Sequence, residues 1–320
     1  MVRDIVINHL KQGMKREAAS ATYQQITAQP AHDFEEEFHR WHDDRESVLS
    51  APHGWLSLAS IDWLADGEKH EIPDFPGYFL QEGTKVTYVP DGVHEVTNKE
   101  IALTEPFTLD IPETGDYNVE DFDFGDVRAQ LIKRIGDSRQ YAVRVRNPHS
   151  ENRTTFTGIP TFEPDQKWVF PARYVPSNQW ETSEVGASVG TLSHDETTIG
   201  WLYFTIASAQ YRLAVFQGHN DDSGLLGTND AGETVYLDNR TDTEGMGFVL
   251  FRDATSGKET YGGVRALTFD TTHPERVTYI DFNRSWNLPC AYSDYCTCPF
   301  APASNQLPFA IRAGEKKVHD

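Results

Sequence analysis

The chain has 320 residues, with 49 Asp and Glu against 28 Lys and Arg, for a formal net charge of −21. That length holds one large domain or two of ordinary size, and 18 Phe, 13 Tyr and 7 Trp supply a core that needs no disulfide staple. The charge excludes non-specific binding to nucleic acid or to an anionic membrane surface through a positive field. It leaves room for a small anion held locally by an arginine fork.

Residues 1–30 mix charged and apolar positions and read as a peripheral N-terminal arm, without the apolar segment of a secretory signal. The sequence contains no apolar run of about 18 residues, so no membrane-spanning helix is expected. The cysteines are three, Cys290, Cys296 and Cys298, clustered near the C-terminus. An odd, clustered set argues against an extracellular disulfide framework and makes the cytoplasm the expected compartment.

The clearest helix starts at Asp33, an N-cap residue with Glu36 three positions on. Phe34, Phe38, Trp41 and Val48 then recur on one face, and Pro52 with Gly54 closes the segment. Such a helix is expected to lie across a sheet. Beyond residue 54 the apolar period shortens to two. GWLSLASIDWL (54–64) is apolar with a turn or short helix, and YFL and KVTYV flank the turn at Glu82 and Gly83. VRAQLIKR (127–134) and YAVRVR (141–146) read as a hairpin around Gly136, Asp137 and Ser138, and a strand is expected at 154–159.

The aromatic segment 165–180 reads as a packed crossover into a second β-rich half. There, 198–206 and 210–217 form a hairpin, followed by the acidic, Gly-rich loop 218–232. Further strands are expected at 234–238, 247–252, 264–269, 276–282 and 308–312, with an ordered Pro- and Cys-rich loop over 284–308. Helices do not alternate with strands, which disfavours doubly wound and barrel-type α/β folds. The expected fold is all-β, mainly antiparallel sheets arranged as sandwich- or barrel-like halves, with an N-terminal amphipathic helix. The halves divide as 31–170 and 171–320, or run together as one continuous domain.

The common nucleotide, zincin and serine-hydrolase signatures are absent. Two polar stretches stand out because each leaves a strand. In the first, Arg252 could grip a carboxylate or phosphate. Asp253 could orient that arginine or accept a proton, and Thr255, Ser256, Thr260, Tyr261 and Arg265 add donors and an aromatic face. The second carries Asp281 and Asn283, which two-residue spacing puts on one side of a strand. Either stretch reads equally well as a loop whose Asp, Asn and Ser side chains satisfy its own backbone. Cys290, Cys296 and Cys298 could chelate a structural zinc ion, serve as a reactive thiol, or simply pack as small apolar residues. Asn220, Asp221, Asp222 and Asp230 could ligate calcium but read better as a solvated acidic loop.

WHDDRESVL (41–49), APHGWLSL (51–58), WLADGE (63–68), VRVRNPHS (143–150) and FTGIPTF (156–162) carry a resemblance that continues through FRDATSGKETYGGVRAL (251–267), YIDFNRSWNLPCAY (279–292) and CPFAPASNQLPFAIRAGEK (298–316). Over these stretches the chain resembles the DUF1684 family, and the resemblance implies no reaction. Arg45, Trp55, Arg146, Arg252, Asp253, Tyr261, Arg265, Asp281, Asn283, Asn287, Cys290, Cys298 and Asn305 are among the residues that match its recurring pattern.

The leading functional expectation is a protein that binds a small or anionic ligand in a cleft between β-rich halves. Trp55, Arg252, Asp253, Thr255, Ser256, Thr260, Tyr261, Arg265, Asp281 and Asn283 would supply the lining. Two alternatives stand beside it. One is a hydrolase-type enzyme with Asp253 or Asp281 as base and Arg252 stabilising developing negative charge. The other is a structural or partner-binding protein in which these loops lock the halves together.

Overall fold

The computed structural model describes residues 34–136, 140–218 and 245–318, together with the backbone of 225–228 and 234–236. One long helix, α1 (Phe34–Leu49), precedes the sheets. Its expected cap, Asp33, and the candidate calcium residues lie outside the described residues. The first β region contains β1 (Leu58–Trp63), β2 (Lys69–His70), β3 (Tyr78–Glu82), β4 (Lys85–Val89), β5 (Thr97–Asn98), β6 (Ile101–Ala102), β7 (Phe107–Asp110), β8 (Tyr117–Phe124), β9 (Val127–Lys133) and β10 (Tyr141–Arg146). A short helix, α2 (Glu151–Thr154), leads to the second region. That region contains β11 (Val169–Gly186), β12 (Ser193–Ile206), β13 (Ala209–Gln217), β14 (Leu225–Thr228), β15 (Thr234–Tyr236), β16 (Met246–Phe251), β17 (Arg265–Asp270), β18 (Tyr279–Asp281) and β19 (Trp286–Asn287).

Among these strands every ladder is antiparallel, as the sequence pattern requires. A six-stranded sheet runs β1-β10-β9-β8-β5-β6 and a four-stranded one β2-β3-β4-β7. Their facing side chains, including Phe79, Val86, Tyr88, Phe122, Leu131, Val143 and Val145, form one core. A seven-stranded sheet runs β18-β11-β12-β13-β16-β17-β19. Alternation along its strands splits it into two faces. Leu213, Val215, Val249, Phe251, Leu267 and Phe269 point to a core closed by Phe282, Leu307 and Ile311. Phe216, Phe248, Leu250 and Ala266 point the other way, toward Phe38, Trp41, Trp55 and Trp286. The helix does lie across a sheet, but the sheet is the one built from the second half of the chain.

Three local expectations are corrected. Residues 154–159 are the end of α2 and an extended connection, because Ser150 and Glu151 carbonyls capture the following amides and start a helical turn. The supposed crossover at 165–180 is mostly strand, since β11 begins at Val169 and pairs with β12 along most of its length. No strand forms at 308–312; side chains rather than a neighbouring strand take up that backbone, as described below. The pattern also gave no notice of β8, whose sequence YNVEDFDF alternates apolar with acidic residues and ladders against β9.

Strand β10 is buried on both faces. Its valines enter the sandwich core, so Arg144 and Arg146 must be buried on the opposite face. Gln130 Oε1 accepts from Arg144 Nη2 at 3.0 Å and from Arg146 Nη2 at 3.4 Å. Arg146 Nη1 donates to the carbonyls of His53 and Gly54, and the Trp55 ring lies 4.5 Å from the Arg146 guanidinium carbon and 5.2 Å from that of Arg144. Arg134 crosses to the second region, donating to Thr297 Oγ1 at 2.9 Å.

The longest-range clasp involves Glu315, fully buried near the C-terminal end. Arg45 Nε donates to Glu315 Oε1 at 3.0 Å and Arg45 Nη2 to the Asn287 carbonyl at 2.9 Å. Glu315 Oε2 accepts from the Asn287 amide at 2.7 Å and from Tyr292 Oη at 2.6 Å. Burial alone would lower the Arg45 pKa, but the neighbouring Glu315 and Tyr292 overcome it and hold the guanidinium above its ordinary value. Gly314 turns the chain into this position at φ 75°, where a Cβ would collide with the Ser285 carbonyl.

Replacing Arg45 with Met leaves Glu315 buried without its counter-charge. The expected loss is about 3–5 kcal/mol of unfolding free energy, read from the urea midpoint at constant m-value. Arg45→Met combined with Glu315→Gln should recover part of that loss; a double variant that is worse than the single one would contradict the clasp.

Candidate functional site

Strand β16 ends at Phe251 and the chain immediately tightens. The Arg252 amide donates to the Asn305 carbonyl at 3.1 Å, and the Arg252 carbonyl accepts from Leu307 at 2.8 Å. Asp253 is buried beneath this turn. Its carboxylate accepts from Thr255 Oγ1 at 2.8 and 3.0 Å, from Ser256 Oγ at 3.2 Å and from the Ile311 amide, and Arg265 Nη2 lies 3.3 Å from Oδ1. Thr255 and Thr260 hydroxyls meet at 2.8 Å across the base of the loop. Arg265 is also fully buried. It donates to the carbonyls of Ala313 and Ile311, and its guanidinium carbon lies 5.1 Å from the Phe251 ring centre. Burial lowers its pKa, with Asp253 acting in the opposite sense. Asp253 and Arg265 therefore take up the backbone of 311–313, which is why that segment needs no strand partner.

Asp281 closes β18. Its Oδ1 accepts from the Asn283 amide at 2.9 Å and from Asn283 Nδ2 at 2.8 Å. Asn283 in turn brackets Asp165, accepting from its amide at 3.0 Å and donating to its carbonyl at 3.0 Å. Arg284 Nε stands 3.6 Å from Asp281 Oδ2. The two loops are joined through packed side chains: the Phe251 and Phe282 rings lie 5.6 Å apart, and Arg265 faces Asn287 across the β17–β19 ladder. The space between them is filled by Phe251, Phe282, Ile311 and Ala313. Trp55 is placed elsewhere, against Arg144 and Arg146.

Of the expected lining residues, Arg252 differs from the rest. Its side chain is half-buried and forms no ion pair with a described residue. Alternation along β16 directs it to the same face of the large sheet as Phe248 and Leu250. On that face, register and alternation assemble a row that sequence reading missed. Arg173 on β11 faces Tyr203 on β12, which faces Arg212 on β13. The Arg173 guanidinium carbon lies 5.0 Å from the Tyr203 ring centre, and that of Arg212 lies 4.1 Å from Trp201. Phe216 faces Phe248 between β13 and β16; continued, that register would set Arg212 opposite Arg252. The strands instead part there around Asn305, whose Nδ2 donates to the carbonyls of Ala214 and Leu250 and whose Oδ1 accepts from the Ala214 amide. Arg173 and Arg212 are exposed, and neither pairs with a described carboxylate. The signal for this row was present only as alternation within RYV (173–175), WLYF (201–204) and YRLAVF (211–216).

The cysteines converge. The Cys290 amide donates to Cys298 Sγ at 3.2 Å, and the Cys298 thiol is also within hydrogen-bonding reach of Cys290 Sγ and Cys296 Sγ. Tyr261, half-buried, bonds to Cys290 through its hydroxyl. All three cysteines are free thiols. Among the described residues no group of three His, Cys, Asp or Glu side chains is arranged to hold a metal ion. No helix among them is long and apolar enough to cross a membrane.

Burial raises the Asp281 pKa above its ordinary value, against the opposing pull of Arg284 and the Asn283 bonds. The folded state then binds this proton more readily than the unfolded chain, so stability falls as pH rises from the ordinary carboxylate range through the raised value. Urea midpoints measured from about pH 4 to pH 7 should show this component in the parent protein and lack it in Asp281→Asn; identical pH slopes would contradict the assignment.

No protein with a curated description matches the chain. Among solved structures, an uncharacterised protein of Haloarcula marismortui determined in solution by NMR matches at 24% identity over 51% of this chain and 78% of its own, with a TM-score of 0.36, too low to carry over fold or function. The family model described as a protein of unknown function (DUF1684) matches residues 154–316, about half of the chain, and takes in both the Arg252 and the Asp281 loops. With the motifs of those loops in place on the large sheet and its closing segment, the chain belongs to the DUF1684 family.

Proposed function

We propose that the protein binds a small anionic ligand on the part of its large sheet left uncovered by the helix, with Arg173, Arg212 and Arg252 as the gripping residues and Trp201 and Tyr203 as their aromatic supports. The observation that supports this reading is a row of three arginines without described ion-pair partners on one face of a protein whose net charge is −21. Surface arginines in so acidic a molecule would ordinarily find carboxylates. Here two of them rest on aromatic rings, which holds the planar forks in place before a ligand arrives.

The geometry favours a compact ligand. Arg173 and Arg212 stand two strands apart, about 10 Å at the usual strand spacing. A dicarboxylate or an organic phosphate spans such a gap. A nucleic acid would meet the repulsion of the whole acidic surface at longer range. Asp253 supports this site from beneath, by fixing the loop that follows Arg252.

The test is calorimetric titration and thermal shift with inorganic phosphate, citrate and succinate as probes. At least one should raise the melting temperature in proportion to its saturation and bind more weakly as salt rises. Losing one charge-assisted contact costs about 1.5–3 kcal/mol, so Arg212→Ala and Arg252→Ala should each weaken that probe about tenfold or more. Arg128→Ala, which removes an arginine already paired with Asp123 at 2.7 Å, should not. Equal affinity in all three variants would overturn the reading.

A further inference from the structure

The cysteine cluster is independent of the arginine row and carries its own inference. Cys290 sits in a turn opened by Pro289 and is partly exposed, whereas Cys296 and Cys298 are buried. The Cys290 amide already points at Cys298 Sγ, at 3.2 Å, and the segment is pinned from outside because the Cys298 carbonyl accepts from the Ser188 amide at 2.8 Å. The Cys290 sulfur has Tyr261 Oη, Ser188 Oγ and the Cys298 thiol as hydrogen-bond neighbours. Hydroxyl and thiol donors around the sulfur of the most exposed of the three cysteines favour its anionic form, and one of them is itself a thiol able to form a bond to it.

We propose that Cys290 and Cys298 are a peroxide-oxidisable dithiol that closes a reversible disulfide, with Cys290 as the attacking sulfur and Cys298 as the resolving one. In the first step the Cys290 thiolate attacks a hydroperoxide. An S–O bond forms, the O–O bond breaks, the sulfur is oxidised by two electrons to a sulfenic acid, and the peroxide leaves as hydroxide or alkoxide. In the second step Cys298 Sγ attacks Cys290 Sγ. The S–S bond forms, the S–O bond breaks, and the departing hydroxide takes the Cys298 proton as water. The division of labour follows from the surroundings. Hydrogen bonding, first from Cys298, lowers the Cys290 pKa, while burial raises that of Cys298 well above its ordinary value. Tyr261, its own pKa raised by burial, keeps its proton and acts as a positioning donor to Cys290. Cys296 is buried beside Cys298 and is a bystander.

The unmodified full-length protein is the main sample, treated with hydrogen peroxide and then blocked with an alkylating reagent. Chymotryptic cleavage after Tyr292 and Tyr295 separates Cys290 from Cys296 and Cys298. The expected product is a disulfide joining those two peptides, with two thiols lost per chain and recovered by dithiothreitol. Cys296→Ser should leave the link in place. Cys298→Ser should abolish it and allow dimedone to capture Cys290 as its sulfenic acid. Tyr261→Phe should move the pH profile of Cys290 alkylation upward and slow its oxidation by roughly threefold or more, a change that a purely packing role would not produce. Thiols that survive peroxide levels able to oxidise a free cysteine peptide would overturn the proposal. So would a link that persists in Cys298→Ser.

Discussion

The structure depends on one buried ion pair at the junction of its first and last described segments. Arg45 on the N-terminal helix and Glu315 near the end of the chain are both withdrawn from water and meet at 3.0 Å. A pair in that setting is costly to desolvate and is retained only when its remaining donors and acceptors are satisfied. Asn287 and Tyr292 do this, and the Trp286 and Tyr292 rings cover the guanidinium at 5.0 and 5.7 Å. Because Asn287 belongs to the edge strand of the large sheet, the same four residues tie the helix, the sheet edge and the returning tail together. The order of the remaining elements on that face follows, with Phe38, Trp41 and Leu49 brought down onto Phe248, Leu250 and Ala266.

A similar economy governs the two conspicuous polar motifs. FRDATSG and YIDFNRS looked chemically active because they combine carboxylates, arginines and hydroxyls at strand ends. The same composition is what a closely packed chain needs where backbone must be buried without a ladder. Asp253 and Arg265 feed the amide of Ile311 and the carbonyls of Ile311 and Ala313. Asn283 completes the amide and carbonyl of Asp165. From sequence, a carboxylate that holds a loop and one that accepts a proton are indistinguishable at the same spacing. The distinction lies in the folded surroundings: Asp253 takes the amide of Ile311 from 58 residues away, and Asp281 is held by Asn283, which itself pairs with Asp165 across 118 residues.

The antiparallel fold and the amphipathic helix were legible because period-two and helical patterns are local. Hairpins such as β3–β4 and β9–β10 announced themselves through apolar alternation around turn residues. Strand β8 did not, since acidic positions on its outer side diluted the pattern, and β11 was masked by its prolines and aromatics. The arginine row was the least legible feature. Arg173, Arg212 and Arg252 are spread over 80 residues and become neighbours only once the register across β11, β12 and β13 is fixed and Asn305 has parted β13 from β16. Arg252 was noticed for its motif, yet it differs from its motif companions by turning to the opposite face of the sheet from Asp253.

The cysteines show how far spacing alone can reach. Cys290, Cys296 and Cys298 are close enough in sequence for metal ligation, thiol chemistry or plain packing, and nothing in the spacing ranks them. Two features of the folded chain do. Among the described residues no set of three ligands surrounds a common point, and the cysteines differ in exposure, Cys290 partly exposed and Cys296 and Cys298 buried. A metal site wants its ligands equivalent and deprotonated around a common centre. A dithiol works best when its members are unequal, one accessible and anionic, the other sheltered and protonated until it is needed. The asymmetry created by burial on one side, and by Tyr261 and Ser188 on the other, matches the second requirement and runs against the first.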